Sequence, residues 1–269
     1  MATRVVVAFA GLLVASAAAR AHDTWLLATP KGGASGPSVR IDMTSGMAFP
    51  ALEHAVRPER VERAMLRVGG ESKRLPAPLA TRASLRYSLT LAQPGIAALW
   101  VELAPRALDL KPELIDEYLR EIGAAERVGP RWRARPDPKA WHEVYRKHAK
   151  TFVRVGAPAP VESSWREPVG MGLELVPESD PTAPATGAAL ALVLLKDGRP
   201  LAGLPVAAER GAKDARTRSF ETSDAAGRVT FQLDRPGPWL FAATELRENG
   251  ADWESDFTTL TVVVTPTGR

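Results

Sequence analysis

Val39, Ile41 and Met43 alternate with Arg40, Asp42 and Thr44, the period-2 pattern of a strand with one face in a core and one outside it. The same alternation recurs in Ala64, Leu66 and Val68 ahead of Gly69-Gly70, and in Leu85, Tyr87, Leu89 and Leu91 ahead of Pro94-Gly95. Ile96 to Leu103 is apolar on both faces, which predicts a central strand. Together these stretches predict an antiparallel β unit.

The period then changes. Pro112 suits a first helical turn, and Leu114, Ile115, Tyr118, Leu119 and Ile122 line one helical face before Gly123. A second helix is expected from Pro138, with Trp141, Val144, Tyr145 and His148 on one side. Strand character returns at Lys150 to Val155 and Gly172 to Val176, and Pro177 to Gly187 reads as a linker.

Beyond it the chain becomes a series of short strands and tight turns. Ala188 to Leu195 is a buried run ending in a turn at Asp197-Gly198. Asp224-Ala225-Ala226-Gly227 turns into the alternating Val229, Phe231 and Leu233, and Trp239 to Leu246 and Phe257 to Val264 close the series. The expected fold is therefore mainly β: two β-sandwich-like domains, the first with a helical insertion. The boundaries are a signal peptide over 1–21, an N-terminal domain over 22–177 with helices in about 112–148, and a C-terminal sandwich over 186–266.

The signal reading rests on Arg4, the uncharged apolar run Val5 to Ala19, and the small residues of Ala19-Arg20-Ala21. That run is too short to cross a hydrocarbon layer of roughly 30 Å. It predicts an exported, periplasmic or secreted protein that keeps no membrane span after cleavage. Removing residues 1–21 from the 269 leaves 248 and lowers the net charge from +4 to +2, because Arg4 and Arg20 leave with the signal. So small a charge in an exported chain argues against a nucleic-acid partner, even though residues 127–154 gather nine Lys/Arg against two Asp/Glu. There is no cysteine, so disulfides and thiolate metal sites are excluded, and any metal must be held by His, Asp or Glu.

Cleavage after Ala21 makes His22 the first residue, followed by Asp23-Thr24-Trp25-Leu26. Its α-amine and Nδ1 then form a chelate that no internal histidine can make. Two nitrogens favour Cu(II) or Ni(II) over Mg or Ca. Only four histidines occur in the chain, and His54, in the loop Gly46 to Pro58, is the candidate second ligand. Other chemistry is poorly represented. On the expected helix, His142 and His148 are six apart and point about 120° away from each other, so they cannot form an i, i+4 zinc pair. There is no nucleophile elbow or phosphate loop. Asp252 and Glu254 suit a strand surface, while Trp239 and Trp253 suit a core or a sugar platform.

Three glycine-rich segments carry a resemblance: Asp197-Gly198-Arg199-Pro200-Leu201-Ala202-Gly203, Thr222-Ser223-Asp224-Ala225-Ala226-Gly227-Arg228-Val229 and Pro236-Gly237-Pro238-Trp239. They resemble the transthyretin-like or carboxypeptidase-regulatory-like sandwich. With Ala21-His22-Asp23-Thr24-Trp25-Leu26, Ala149-Lys150-Thr151-Phe152-Val153-Arg154-Val155-Gly156 and Ala251-Asp252-Trp253-Glu254-Ser255, the chain is similar to the periplasmic domain-of-unknown-function family 4198. Members of that family are related to accessory components of nickel and cobalt uptake systems. Relatives often place a histidine in the strand after the Pro-Gly turn, where this chain has Thr244-Glu245-Leu246, so Glu245 is the carboxylate that the resemblance offers as a ligand. The resemblance implies a non-catalytic metal-binding or metal-delivery protein for nickel, cobalt or copper, with a metal ion and a membrane metal transporter as partners. The competing expectation is a metal-free structural or carbohydrate-binding sandwich.

Overall fold

The alternating stretches become strands, and the computed structural model describes them over residues 22–31, 38–91, 93–136, 139–156, 163–211 and 217–267. The signal segment and its cleavage point at Ala21, most of the Lys31 to Ser38 loop, and Pro138 lie outside these residues. In chain order the first strands are β1 (Asp23–Lys31), β2 (Ser38–Gly46), β3 (His54–Ala55), β4 (Val61–Val68), β5 (Glu71–Arg74), β6 (Leu79–Ala80), β7 (Leu85–Thr90) and β8 (Gly95–Leu110). Two short helices, α1 (Ile115–Glu121) and α2 (Ala125–Arg133), precede β9 (Trp141–Val155) and β10 (Leu173–Pro177). The C-terminal part holds β11 (Ala189–Lys196), β12 (Arg199–Pro200), β13 (Pro205–Arg210), β14 (Thr217–Thr222), β15 (Arg228–Gln232), β16 (Gly237–Asn249) and β17 (Asp252–Val264).

Eight of these strands form one sheet in the order β14-β13-β16-β17-β9-β8-β4-β5. Alternation gives that sheet two apolar faces, and each is covered over a different half. Ile96, Ala98, Phe152, Phe241, Ala243, Leu260 and Val262 point to one face, where Leu190, Leu192 and Leu194 of β11 and Phe231 of β15 close a core. Ala97, Leu99, Val101, Ala149 and Val153 point to the other, against Leu26, Val39, Ile41, Met43 and Tyr87 of the sheet built on β1, β2 and β7. Each fully buried Leu or Ile contributes about 1.5–3 kcal/mol, so both sandwiches have substantial cores. The fold is mainly β and sandwich-like, as the alternation predicts, but the two sandwiches are built on a shared central sheet. The join is β17, which pairs antiparallel with β16 on one side and parallel with β9 on the other.

Two local expectations change. The helices end at Arg133, and the segment from Trp141 onward is a strand instead of a second helix. β9 is laddered on both sides, to β8 and β17, and these non-local bonds outweigh a local helical pattern. Its buried Trp141 and Glu143 alternate with exposed His142 and Val144, which is period two. Trp141 then stacks on Trp253 of β17 at 4.5 Å between ring centroids and closes a third core with Tyr118, Leu119 and Trp132 of the helices. The stretch read as a linker is stitched to the end of the C-terminal core: Thr186 N–H donates to the Thr265 carbonyl at 2.9 Å and Gly187 N–H to that of Leu233 at 2.7 Å.

Candidate functional site

β1 carries His22 to the covered face of the central sheet. Lys147 points to that face, as Ala149 and Val153 do, and its Nζ donates to the His22 carbonyl. Burial, with Arg60 beside it, brings the Lys147 ammonium down to about 7. One residue on, the Asp23 carboxylate pairs with Arg218 of β14, and Thr259 Oγ1 of β17 donates to the Thr24 carbonyl at 2.6 Å. The start of β1 is thus pinned from three sides.

His54 is placed through β2. Ser45 pairs with Thr24 of β1 on one side and with His54 of β3 on the other. The Thr44 hydroxyl donates to the His54 carbonyl at 3.2 Å and accepts from the His54 N–H at 3.3 Å. The His22 and His54 rings come together with centroids 5.9 Å apart and planes inclined by 29°. His22 is half-buried and His54 is exposed. Metal–nitrogen bonds of about 2.0–2.1 Å put the centroids of two imidazoles on one ion no more than about 6.5 Å apart, and the observed separation lies within that limit.

Glu245 is not part of this pair. It shares a face of β16 with Phe241 and Ala243, whereas its neighbour Leu246 faces the helices. Its carboxylate lies 3.1 Å from Arg247 and 3.8 Å from Lys196, on the face of the sheet opposite Lys147 and His22. The expected ligand set therefore divides into two histidines together and the carboxylate across the sheet. Among the described residues no group of three or more His, Asp or Glu side chains gathers as a metal site. The nearest carboxylates in sequence are occupied: Asp23 by Arg218, and Glu53 by the N–H groups of Met47 and Ala48.

The other candidates resolve simply. His142 is exposed and hydrogen-bonded to Asp109 at 2.5 Å, which raises its pKa. Trp239 and Trp253 are buried, so neither offers a sugar platform, and Glu254 is tied to Arg247 and Asn249. Within the basic segment Arg127 donates to the Leu246 carbonyl, and Arg133 and Arg135 pair with Asp116 and Glu248. No helix among the described residues is long and apolar enough to cross a membrane.

Sequence reasoning missed a polar cleft of about 460 Å³ centred on His148. Strand alternation turns His148 into the face shared by Lys150 and Phe152, where the imidazole is only 4% exposed. Nδ1 lies 3.7 Å from Glu102 Oε2 and Nε2 lies 3.6 Å from Asp256 Oδ1, both beyond ordinary hydrogen-bond length. Asp256 also accepts from Lys196 at 3.0 Å and from Arg247 at 3.2 Å. Burial alone would push the Asp256 carboxyl up, but His148, Lys196 and Arg247 hold it well below the usual carboxylate range. Glu102 is pushed up by burial, against the pull of Arg63. The signal for this site was the even spacing of His148, Lys150 and Phe152 on a strand.

The sequence profile of a family described as "Domain of unknown function (DUF4198)" matches residues 19–246. No curated protein matches the chain. Solved structures that the chain matches include a tetra-tandem repeat from the extending region of a large adhesion protein, at 12% identity and a TM-score of 0.23. That match covers 90% of this chain, and the chain spans only 49% of the adhesion protein's. Others are fibronectin(III)-like modules of Clostridium thermocellum CbhA, at 10% identity and TM-score 0.19, and native alpha-2-macroglobulin from Escherichia coli spanning domains MG0-NIE-MG1, at 12% and 0.19. Both of these matches cover 88% of this chain and 95% of the other.

Proposed function

We propose, for a chain that belongs to the domain-of-unknown-function family 4198, that the exported protein binds and delivers a divalent transition metal in the periplasm. The metal, Cu(II), Ni(II) or cobalt, is held by His22 and His54 after the signal is removed at Ala21. The observation that carries this reading is the approach of the two imidazoles to 5.9 Å, His22 just ahead of β1 and His54 on β3.

Two imidazoles alone make a weak site. The third donor in this reading is the His22 α-amine, which joins Nδ1 of the same residue in a chelate. An all-nitrogen set of this kind suits the tetragonal preferences of Cu(II) and Ni(II) better than the oxygen preferences of Mg or Ca. Lys147 positions it by holding the His22 carbonyl, and Arg218 does so by holding Asp23. The exposure of His54 leaves one side open, as release to a membrane transporter requires.

Titrating Cu(II) and Ni(II) into the mature protein and three variants tests the ligand set. His22→Ala and His54→Ala should each weaken binding by more than the roughly 10–100-fold typical of residues that only support a ligand. Glu245→Gln, across the sheet, should leave affinity unchanged. Unaltered binding in His54→Ala would exclude the paired site.

A further inference from the structure

The cleft around His148 lies away from the His22–His54 pair, on the opposite face of the central sheet, and the reading of that pair makes no use of it. Its walls come from both sandwiches: β4, β8 and β9 on one side, β16, β17 and the turn after β11 on the other. Two features set its chemistry. Its lining is almost entirely charged, and Leu103, on its wall, turns its side chain into the core on the other face of the sheet. Its charges are also balanced. Arg63, Arg146, Lys196 and Arg247 face Glu62, Glu102, Asp197 and Asp256.

Balance argues against a simple ion. Lys196 and Arg247 share Asp256 and are paired besides with Asp197, Glu245 and Glu254, so a free anion would have to displace carboxylates. A free cation reaching Glu102 would pass the arginines at the mouth. A ligand that carries both charges meets neither obstacle. Glu102 and Glu62 present the carboxylates for its positive end: Glu102 Oε1 is paired with Arg63 at 3.0 Å but receives no hydrogen bond, and Glu62 on the same wall is exposed. Arg146, exposed and outside the Asp256 cluster, presents a donor for its negative end. A volume of about 460 Å³ lies within the usual range for small-molecule sites. Gly172 leaves the wall open beside the imidazole: a Cβ there would sit 3.5 Å from His148 Nε2, so the absent side chain is part of the space.

We propose that this cleft is a binding site for a small zwitterion of the free α-amino-acid class, with its ammonium at Glu102 and its carboxylate at Arg146. His148 forms the floor, with the Glu102 and Asp256 carboxylates on either side of it at 3.7 and 3.6 Å.

The test uses the mature chain in the presence of a chelator, so that no amino acid acts through a metal. Each of the twenty free L-amino acids is screened at about 10 mM by thermal shift, and hits are followed by calorimetry. The site predicts at least one hit, with the corresponding amine and carboxylic acid, each lacking one of the two charges, binding at least about tenfold more weakly. Gly172→Leu, which fills the space without removing a charge, and Arg146→Ala, at an exposed position, should each lower affinity by about tenfold or more. His22→Ala should bind the amino acid as the native chain does, which separates this site from the metal reading. Absence of any hit overturns the proposal, as does binding of the single-charge analogues as tightly as the amino acid. Undiminished binding in folded Arg146→Ala also overturns it.

Discussion

Lys150 Nζ donates to Glu174 Oε1 at 2.7 Å, with both side chains 1% exposed. The same carboxylate accepts the backbone N–H groups of Val169, Gly170 and Met171. One ion pair thus fastens the central sheet to the loop that leads into β10, and with it to the second layer of the C-terminal sandwich.

Removing the cation would leave Glu174 buried among amides with no opposing charge. Lys150→Met should therefore cost about 3–5 kcal/mol, the usual penalty for orphaning one member of a buried pair. Urea denaturation measures it. A loss under about 1 kcal/mol would mean that the amides alone satisfy the carboxylate.

Asp256 makes stability depend on acid. Its carboxyl is held below its unfolded value, so its contribution is complete above the unfolded value of about 3.9 and fades as pH falls toward the folded one. Asp256→Asn should be destabilised at pH 7, and its deficit relative to the native chain should shrink below about pH 4. Urea midpoints at pH 7, 5 and 3 check this. A deficit that stays constant would show that the cluster around Asp256 does not discriminate between the charged and neutral carboxyl.

Gly227 and Gly198 are both left-handed, with φ of +74° and +76°, but only one is crowded. A Cβ at Gly227 would stand 2.6 Å from the Leu194 carbonyl oxygen, whereas nothing lies within 4 Å of one at Gly198. Gly198→Ala should cost about 1 kcal/mol for the backbone conformation alone, and Gly227→Ala clearly more, because β11 must shift. Thermal unfolding of the two variants side by side ranks them. Equal losses would contradict the close approach.

How far the sequence was legible follows from where each signal is local. Val39, Ile41 and Met43, or Val229, Phe231 and Leu233, declare their strands because burial of one face is written in every second residue. Trp141 to His148 misleads because the same residues satisfy a helical spacing, and the ladders that decide the matter come from β8 and β17, distant in sequence. The shared central sheet was hidden for the same reason, since the parallel pairing of β17 with β9 joins positions more than 100 residues apart. At the site, His22 and His54 are flagged by rarity and by the Ala-x-Ala junction, and strands on both sides of β2 bring them together. Glu245 is not with them because strand parity, which sets the face, cannot be inferred from a family likeness. His148 was passed over because a helix would have turned it away from the partners that a strand gives it.

If cleavage at Ala21 creates the metal site, blocking the α-amine that it frees abolishes the site. Mature protein beginning at His22 and the same chain acetylated on its His22 α-amine differ only in that this nitrogen becomes an amide, which is not basic. Cu(II) and Ni(II) affinities of the two are measured at pH 7.5 and again below about pH 6, where imidazole and amine protons compete with metal. Tight binding is expected only for the chain whose His22 α-amine is free, with affinity falling as pH drops. Equal affinity for both chains at both pH values would contradict it.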